Sequence, residues 1–382
     1  MKILHVIPSF YPATYFGGPI ESTWNLCKEL SLKPSIKIKV LTTNTNGPSR
    51  REIIKVKNNP MSFRKNLSVY YAKKNFGRDF SIDLLLRLYQ EIFWADVIHL
   101  TGVYSFTTFP TLIISRLLRK RIVWSCRGSL QRWKDTKKKT LKFVWEILIN
   151  ILINNSETIL HVTSELELKS TKKKIRNVSC ALIPNGINVE QYSHKNEWIQ
   201  EGKLRIIFLG RIDPIKGLEN LIMAISRLDK GLYLLKICGT GDKEYVKKLK
   251  VYAKEFGLED EIEFTGHMNN QIKARNICAS DILILPSYSE NFGMVIIESL
   301  SRGTPVIVSK KTPWEEVTNI GCGFWVDNDP DALADVLVNA RKSNLREMGM
   351  KGYHWVKQKY SSDKVTEQMY NLYLDNFKTE NN

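Results

Sequence analysis

Apolar residues along this chain gather in short dense runs, and between them lie longer stretches whose apolar positions recur at helical spacing. The runs at 2–8, 36–43, 96–100, 121–125, 158–163 and 179–185 read as strands, and a second series follows at 204–210, 232–239, 261–266, 281–287 and 304–309. They lack the clean alternation of a sheet with one wet face. Strands apolar on both sides and separated by helices predict parallel sheets covered on both faces. Two successive series predict an α/β chain of two doubly wound domains. The seam falls within 183–203, "IPNGINVEQYSHKNEWIQEGK", where apolar strand gives way to polar, turn-rich sequence, and the domains are placed at 1–190 and 191–360. A length of 382 residues with 43% hydrophobic content suits two domains that each bury a core. In such sheets ligands sit beyond the carboxyl ends of strands, so the strand-to-helix loops are the places to search.

Four of these loops carry candidate chemistry. "FGGPIEST" (16–23) follows the first strand, where Gly17 and Gly18 let backbone amides approach an anion or simply form a turn. "LGRIDPIKGLENLIMAISRL" (209–228) ends a strand at Gly210 and brackets a loop with Arg211 and Lys216 before an apolar-faced helix. Two cations at the carboxyl end of a strand suit a diphosphate, Arg as a planar fork and Lys as a movable point charge; solvated surface cations are the alternative. "GTG" (239–241) opens a helix, so its glycines permit close backbone approach and the free amides attract phosphate, although a tight turn fits Gly239 equally well.

The stretch "SENFGMVIIE" (289–298) places a carboxylate at each end of a mostly apolar run. A helix is expected from about Gly293 to a glycine stop at Gly303, which puts Glu290 just before it and Glu298 inside it. The amides of Gly293, Met294 and Val295 would then be unpaired donors suited to phosphate oxygens. The two glutamates would accept hydroxyl hydrogen bonds at either end of a nucleoside diphosphate sugar. Solvated glutamates on an ordinary amphipathic helix are the alternative; for Glu298, a lone carboxylate among such neighbours would be costly without a partner.

Charge separates the two halves. Residues 1–190 hold 31 Lys and Arg against 13 Asp and Glu, a surplus of 18, whereas residues 191–382 hold 26 of each. The first half is therefore expected to face something anionic: a phospholipid surface, a phosphorylated substrate or nucleic acid. Nucleic acid is disfavoured, because the chain has no zinc-finger spacing, no aromatic RNP-like strand and no repeats. Six cysteines lie far apart with no C-x-x-C pair, so neither a zinc site nor a disulfide framework is indicated and a reducing cytosol is expected. "MKILHVIPSFYP" reads as a first strand, since no small-residue cleavage site follows, and no stretch reaches about 18 uninterrupted apolar residues.

Gly-Gly after the first strand, "GRIDPIKG", "GTGDKEY", "FTGHMNN" and "SENFGMVIIESLSRGTPVI", in this order and spacing, resemble the family-four retaining glycosyltransferases of GT-B fold over nearly the whole chain. The resemblance implies two Rossmann-like domains facing a cleft, with the nucleotide sugar held mainly by the second and no metal or other cofactor. It implies Arg211 and Lys216 as the diphosphate pair, Glu290 at the donor sugar, Glu298 at the ribose, and the backbone around Met268 at the nucleobase. Asn291 and Phe292 belong to the same donor loop, and Gly17 and Gly18 close on the phosphates from the first domain. A returning helix at the carboxyl terminus (361–382) rejoins the first domain. Where many members carry a histidine, "VWSCRGSLQRW" (123–133) offers Arg127 instead, as in a subgroup with an Arg-Gly element and nearby tryptophan found among bacterial cell-surface polysaccharide enzymes. Arginine is no general base, so Arg127 is expected to contact phosphate or acceptor, or to form a structural salt bridge.

The reaction so implied moves a hexosyl or N-acetylhexosaminyl unit from a UDP-sugar, in preference to a GDP-sugar, to a saccharide acceptor, expected to be lipid-linked, in O-antigen or capsule synthesis. A sugar-nucleotide epimerase or phosphorylase of the same fold is the nearest alternative, and an inactive partner subunit a further one. The segment 132–155, "RWKDTKKKTLKFVWEILINILINN", joins a lysine cluster to a helix rich in Trp145, Ile147, Leu148, Ile151 and Leu152, and 168–176 extends the basic patch. Such a segment suits peripheral contact with an anionic membrane, at the inner face of the plasma membrane; a core helix is the competing expectation.

Overall fold

The computed structural model describes residues 1–13, 17–47, 52–56, 59–77, 79–131, 139–153, 157–189, 198–199 and 202–378, the side chains of 376–378 excepted. The lysine cluster at 132–138, with Trp133, and part of the expected seam fall outside these residues. The chain divides into two units, Met1–Asn188 together with the stretch from Ser362 on, and Val189–Ser361.

The first unit runs β1 (Lys2–Val6), α1 (Gly18–Leu30), β2 (Lys37–Thr43), β3 (Met61–Arg64), β4 (Leu67–Ala72), α2 (Ile82–Trp94), β5 (Val97–Thr101), α3 (Thr108–Leu117), β6 (Arg121–Ser125), α4 (Lys139–Leu152), β7 (Thr158–Val162), α5 (Glu165–Lys172) and β8 (Ser179–Leu182). Its sheet has the order β3-β4-β2-β1-β5-β6-β7-β8, parallel except for the edge strand β3, which pairs antiparallel with β4. Side chains alternate across each strand, so Ile3, Val97 and Val123 enter one core and Leu4, Ile98 and Trp124 the other. The first of these cores is covered by α1 and the carboxyl-terminal helix, the second by α2, α3 and α4.

The second unit runs β9 (Leu204–Leu209), a 3-10 turn (Pro214–Lys216), α6 (Leu218–Ser226), β10 (Tyr233–Cys238), α7 (Lys243–Glu255), β11 (Ile262–Gly266), α8 (Asn270–Ala279), β12 (Ile282–Leu285), α9 (Met294–Leu300), β13 (Val306–Ser309), α10 (Glu316–Ile320), β14 (Gly323–Val326), α11 (Pro330–Lys342) and α12 (Leu345–Lys359). The chain then enters α13 (Ser362–Lys378), whose Val365, Met369 and Tyr373 recur every fourth residue and pack among the α1 residues Leu26, Cys27 and Leu30. The second sheet is wholly parallel, in the order β11-β10-β9-β12-β13-β14. This is a doubly wound sheet whose strand order reverses between β9 and β12.

All eleven expected strands form. The structure adds β3, β4 and β14. Two of these are four-residue edge strands, and β4 carries half-buried Ser68 and Tyr70 between buried Leu67, Val69 and Tyr71, a mixed pattern that the search for dense apolar runs passes over.

Candidate active site

Parallel strands deliver their carboxyl ends to one edge of the second sheet. The loops after β9, β10, β11 and β12 therefore share that edge, with those after β9 and β12 flanking the reversal. The two strands are pinned beside each other by Asp281, fully buried, whose carboxylate accepts from the Arg205 backbone amide at 2.9 Å and from the Arg205 guanidinium at 2.8 and 3.0 Å.

In the loop after β9, the Asp213 side chain accepts from the Ile215 amide and starts the 3-10 turn that carries Lys216. The Tyr288 amide, in the loop after β12, donates to the Ile215 carbonyl at 2.8 Å. Lys216 Nζ lies 2.5 Å from Glu290 Oε2, both side chains more than four-fifths buried. Arg211, by contrast, is 71% exposed, with Asp213 beside it at 3.5 Å. One cation is thus fixed across the reversal and the other is extended into solvent.

Gly293, at φ 77° in the left-handed region, turns the chain from Glu290 into α9, whose start has no side-chain cap. Asn291 is half-buried in this loop. Phe292 lies differently from a ligand contact: its ring is buried against Trp314 and Tyr360, and its carbonyl accepts from the Trp314 indole. Met294 and Val295 begin α9, and Glu298, five residues in, is 4% exposed. Its partner is Lys273 of α8, whose Nζ lies 2.9 Å from each carboxylate oxygen. Sequence analysis missed Lys273. The cost of burying Glu298 signals that a partner must exist, yet nothing in the run indicates which helix supplies it.

The loop after β10 offers a phosphate less than a bare helix start would. The Asp242 carboxylate accepts from Tyr245 N as the cap of α7 and places a negative charge there. Gly239 and Gly241 have a packing reason instead. A Cβ on either would stand 1.8 Å from the Gly210 carbonyl oxygen or 1.9 Å from that of Ile212, so glycine lets the β9 and β10 loops lie backbone against backbone. Ile212 N donates to Thr240 O at 2.9 Å across this contact. Met268, half-buried, lies in the loop after β11.

In the first unit, Gly17 (φ 69°) precedes α1 and Gly18 is its first residue, with proline following and no side-chain cap. Arg127, at φ 52°, turns its guanidinium inward to donate to Asn185 Oδ1. Its carboxylate neighbour Glu167 instead accepts from the amides of Gly128 and Thr163 and the Thr163 hydroxyl. Beside Arg127, Ser22, Asn25, His161 and Ser362 line a cavity of ≈ 20 Å³, room for about one water. As placed, this guanidinium serves the unit's own interior.

Beneath it the strand ends bring together buried polar groups. His99 Nδ1 lies 2.5 Å from the Tyr373 hydroxyl and Nε2 2.6 Å from Ser125 Oγ, which lies 2.6 Å from His161 Nδ1; His161 Nε2 donates to the Ile183 carbonyl at 2.8 Å. His5 stacks on His99 at 4.5 Å, and neither of its nitrogens has a hydrogen-bond partner among the described residues. Burial, reinforced by the Arg127 charge, holds His5 and His161 down to about 3, and burial keeps His99 well below its ordinary value. These rings are neutral, structural groups.

Two family models match. "Glycosyltransferase Family 4" spans residues 16–191 and "Glycosyl transferases group 1" spans 190–353. The phosphatidyl-myo-inositol mannosyltransferase of Mycobacterium leprae is 30% identical over 200 residues, 50% of this chain and 52% of that protein. An uncharacterised 41.2 kDa protein in the cps region of Klebsiella pneumoniae is 26% identical over 247 residues, 62% of this chain and 66% of that protein. The chain spans about half to two thirds of the length of the curated relatives it matches. Among solved structures, Anabaena HepE in complex with UDP and glucose superposes with a TM-score of 0.74 at 18% identity, covering 97% of this chain and 99% of that one.

Proposed function

The chain belongs to the family-four glycosyltransferases of GT-B fold, and from that premise we propose that it transfers a hexosyl or N-acetylhexosaminyl unit, with retention and without a metal, from a nucleoside diphosphate sugar to a saccharide acceptor. The observation that carries this reading is the Lys216–Glu290 pair, held at 2.5 Å across the strand reversal with Arg211 extended beside it. A pyrophosphate at that edge meets the Arg211 fork and the Lys216 ammonium. Glu290, already bonded to the cation, lies where a sugar joined to the β-phosphate would present hydroxyls. Glu298, oriented by Lys273, accepts from the ribose, while the backbone near Met268, the Gly239 turn and the loop of Asn291 to Val295 complete the donor side.

In the transfer, the bond from the anomeric carbon to the β-phosphate oxygen breaks on the face where the acceptor oxygen bonds. The acceptor proton passes to the departing phosphate oxygen. The main demand is then to stabilise charge developing on the leaving group, which two cations meet. A UDP-sugar is the preferred donor, a reading supported by the UDP and glucose bound to the structurally similar HepE. The relative from a cps region and the mannosyltransferase of an inositol lipid support an acceptor in cell-surface glycan synthesis, built on lipid.

Thermal-shift screening against UDP- and GDP-sugars, followed by an acceptor screen, tests this. The expected outcome is stabilisation by one sugar nucleotide, and release of its nucleoside diphosphate only when acceptor is present. Release that requires inorganic phosphate, or epimerisation without acceptor, would overturn it.

A further inference from the structure

The outer surface of the first unit is inverted. On α4 the polar Glu146 points inward, 6% exposed, taking the Tyr104 hydroxyl and lying 3.6 Å from Lys174, while Phe143, Val144, Ile147, Leu148 and Ile151 all face outward. Of this helix's apolar residues only Ile149 is fully buried, so it is not the core helix that its composition also allowed. On α2, Leu84, Leu88 and Ile92 enter the core, and a second stripe on the opposite side, Ile82, Leu86, Tyr89 and Phe93, is exposed, Leu86 to 75% and Phe93 to 66%. Between these helices α3 exposes Ile113 and Leu117.

The three helices pack side by side over one sheet face, α3 touching both neighbours. Together they hold twelve of the 23 large apolar side chains exposed among the described residues, against five in the whole second unit. Such concentration on one side of a folded unit marks a surface that meets an apolar partner.

The charged groups decide which partner. The acidic residues on these helices are engaged internally: Asp83 by Arg87 and Tyr70, Glu91 by Lys39, and Glu146 as described. The margin is basic. Arg116 and Arg119 stand exposed at the end of α3, and Asn150 of α4 bonds the backbone at Lys174 and Arg176, beside exposed Lys172 and Lys173. A two-fold contact between copies through this face would set the same cationic margin against itself. An anionic bilayer offers apolar depth at the centre and opposite charge at the rim.

We propose that the outer faces of α2, α3 and α4 form a plate that lies flat on an anionic lipid bilayer. No described helix is long and apolar enough to cross one, so docking is peripheral. This deepens the proposed transfer to a lipid-borne acceptor, but the test needs no donor or acceptor, so either can fail alone. The full chain is floated with vesicles of equal parts phosphatidylglycerol and phosphatidylcholine, and with phosphatidylcholine alone. The parent chain should float with the anionic vesicles and much less with the neutral ones. The pairs Phe143→Ser with Ile147→Ser, and Leu86→Ser with Phe93→Ser, should each weaken the partition about tenfold or more while leaving Tm unchanged, since these side chains are exposed. Absence of flotation on anionic vesicles at low salt, equal flotation of the variants, or a dimer in size exclusion that the variants convert to monomer would overturn the proposal. If a serine pair lowers Tm, Leu86→Lys alone, tested for altered partition, takes its place.

Discussion

At the residue scale, the two lysine–glutamate pairs make different demands. Glu298 is nearly fully buried against Lys273, so its removal deletes a charged hydrogen bond to the proposed ribose and strands an ammonium. Glu298→Ala is expected to weaken donor binding about 10- to 150-fold, from ~1.5–3 kcal/mol for such a bond. Lys273→Ala, measured by the same calorimetric titration, should weaken donor binding too, because the carboxylate loses the group that orients it; unchanged affinity in both would remove Glu298 from the site. Lys216 is proposed to act as charge develops on the leaving phosphate, so Lys216→Ala should chiefly lower kcat. A variant that changed KM alone, with kcat intact, would show that the lysine only binds.

At the scale of elements, the two loops flanking the proposed diphosphate site depend on a third for their place. The β9 loop lies against the β10 loop with no room for a methyl group at Gly241, whose Cβ would meet backbone rather than a flexible side chain. Gly241→Ala should therefore displace the Ile212 segment, lowering Tm and weakening donor binding together. Asp242→Ala makes the contrast: it removes the α7 cap at about 1 kcal/mol but leaves donor affinity unchanged, because that helix start already holds its own carboxylate. Thermal melts with donor titration separate the two outcomes. A gain of donor affinity in Asp242→Ala, as the freed amide and the lost negative charge would give if phosphate lay there, would restore the phosphate-binding role expected for this turn.

At the scale of the whole molecule, the two units should respond unequally to acid. His5 and His161 stay neutral in the first unit down to about pH 3, whereas an unfolded chain protonates them near 6.5. Between these values the unfolded state binds more protons, so stability is intact above about pH 6.5 and falls as pH drops toward 3, by about 1.4 kcal/mol per pH unit for each ring. The first unit should thus denature ahead of the second in urea at pH 5, followed by tryptophan fluorescence and proteolysis. His5→Phe keeps an apolar ring in the stack but removes one proton from the balance, so its pH slope should be shallower. An unchanged slope would mean that His5 is not the group responsible.

The dense apolar runs were enough to specify eleven strands, their parallel pairing and the doubly wound class, because a strand buried on both faces has few residue types open to it. The loops bearing Arg211, Lys216, Glu290 and Glu298 could be placed at the strands' carboxyl ends for a related reason: charged residues are costly within apolar strands and so mark where a strand stops. Three things needed tertiary structure. Lys273 could be joined to Glu298 only once α8 and α9 were packed, since 25 residues separate them along the chain. The Tyr245 amide at the start of α7 and the Phe292 ring were taken up by a cap and by an aromatic core, neither of which leaves a mark at the position itself. Whether the apolar side of α4 faced a core or its surroundings depended on which way the helix was rotated over the sheet. Periodicity states that a helix has an apolar face; only packing decides where that face points.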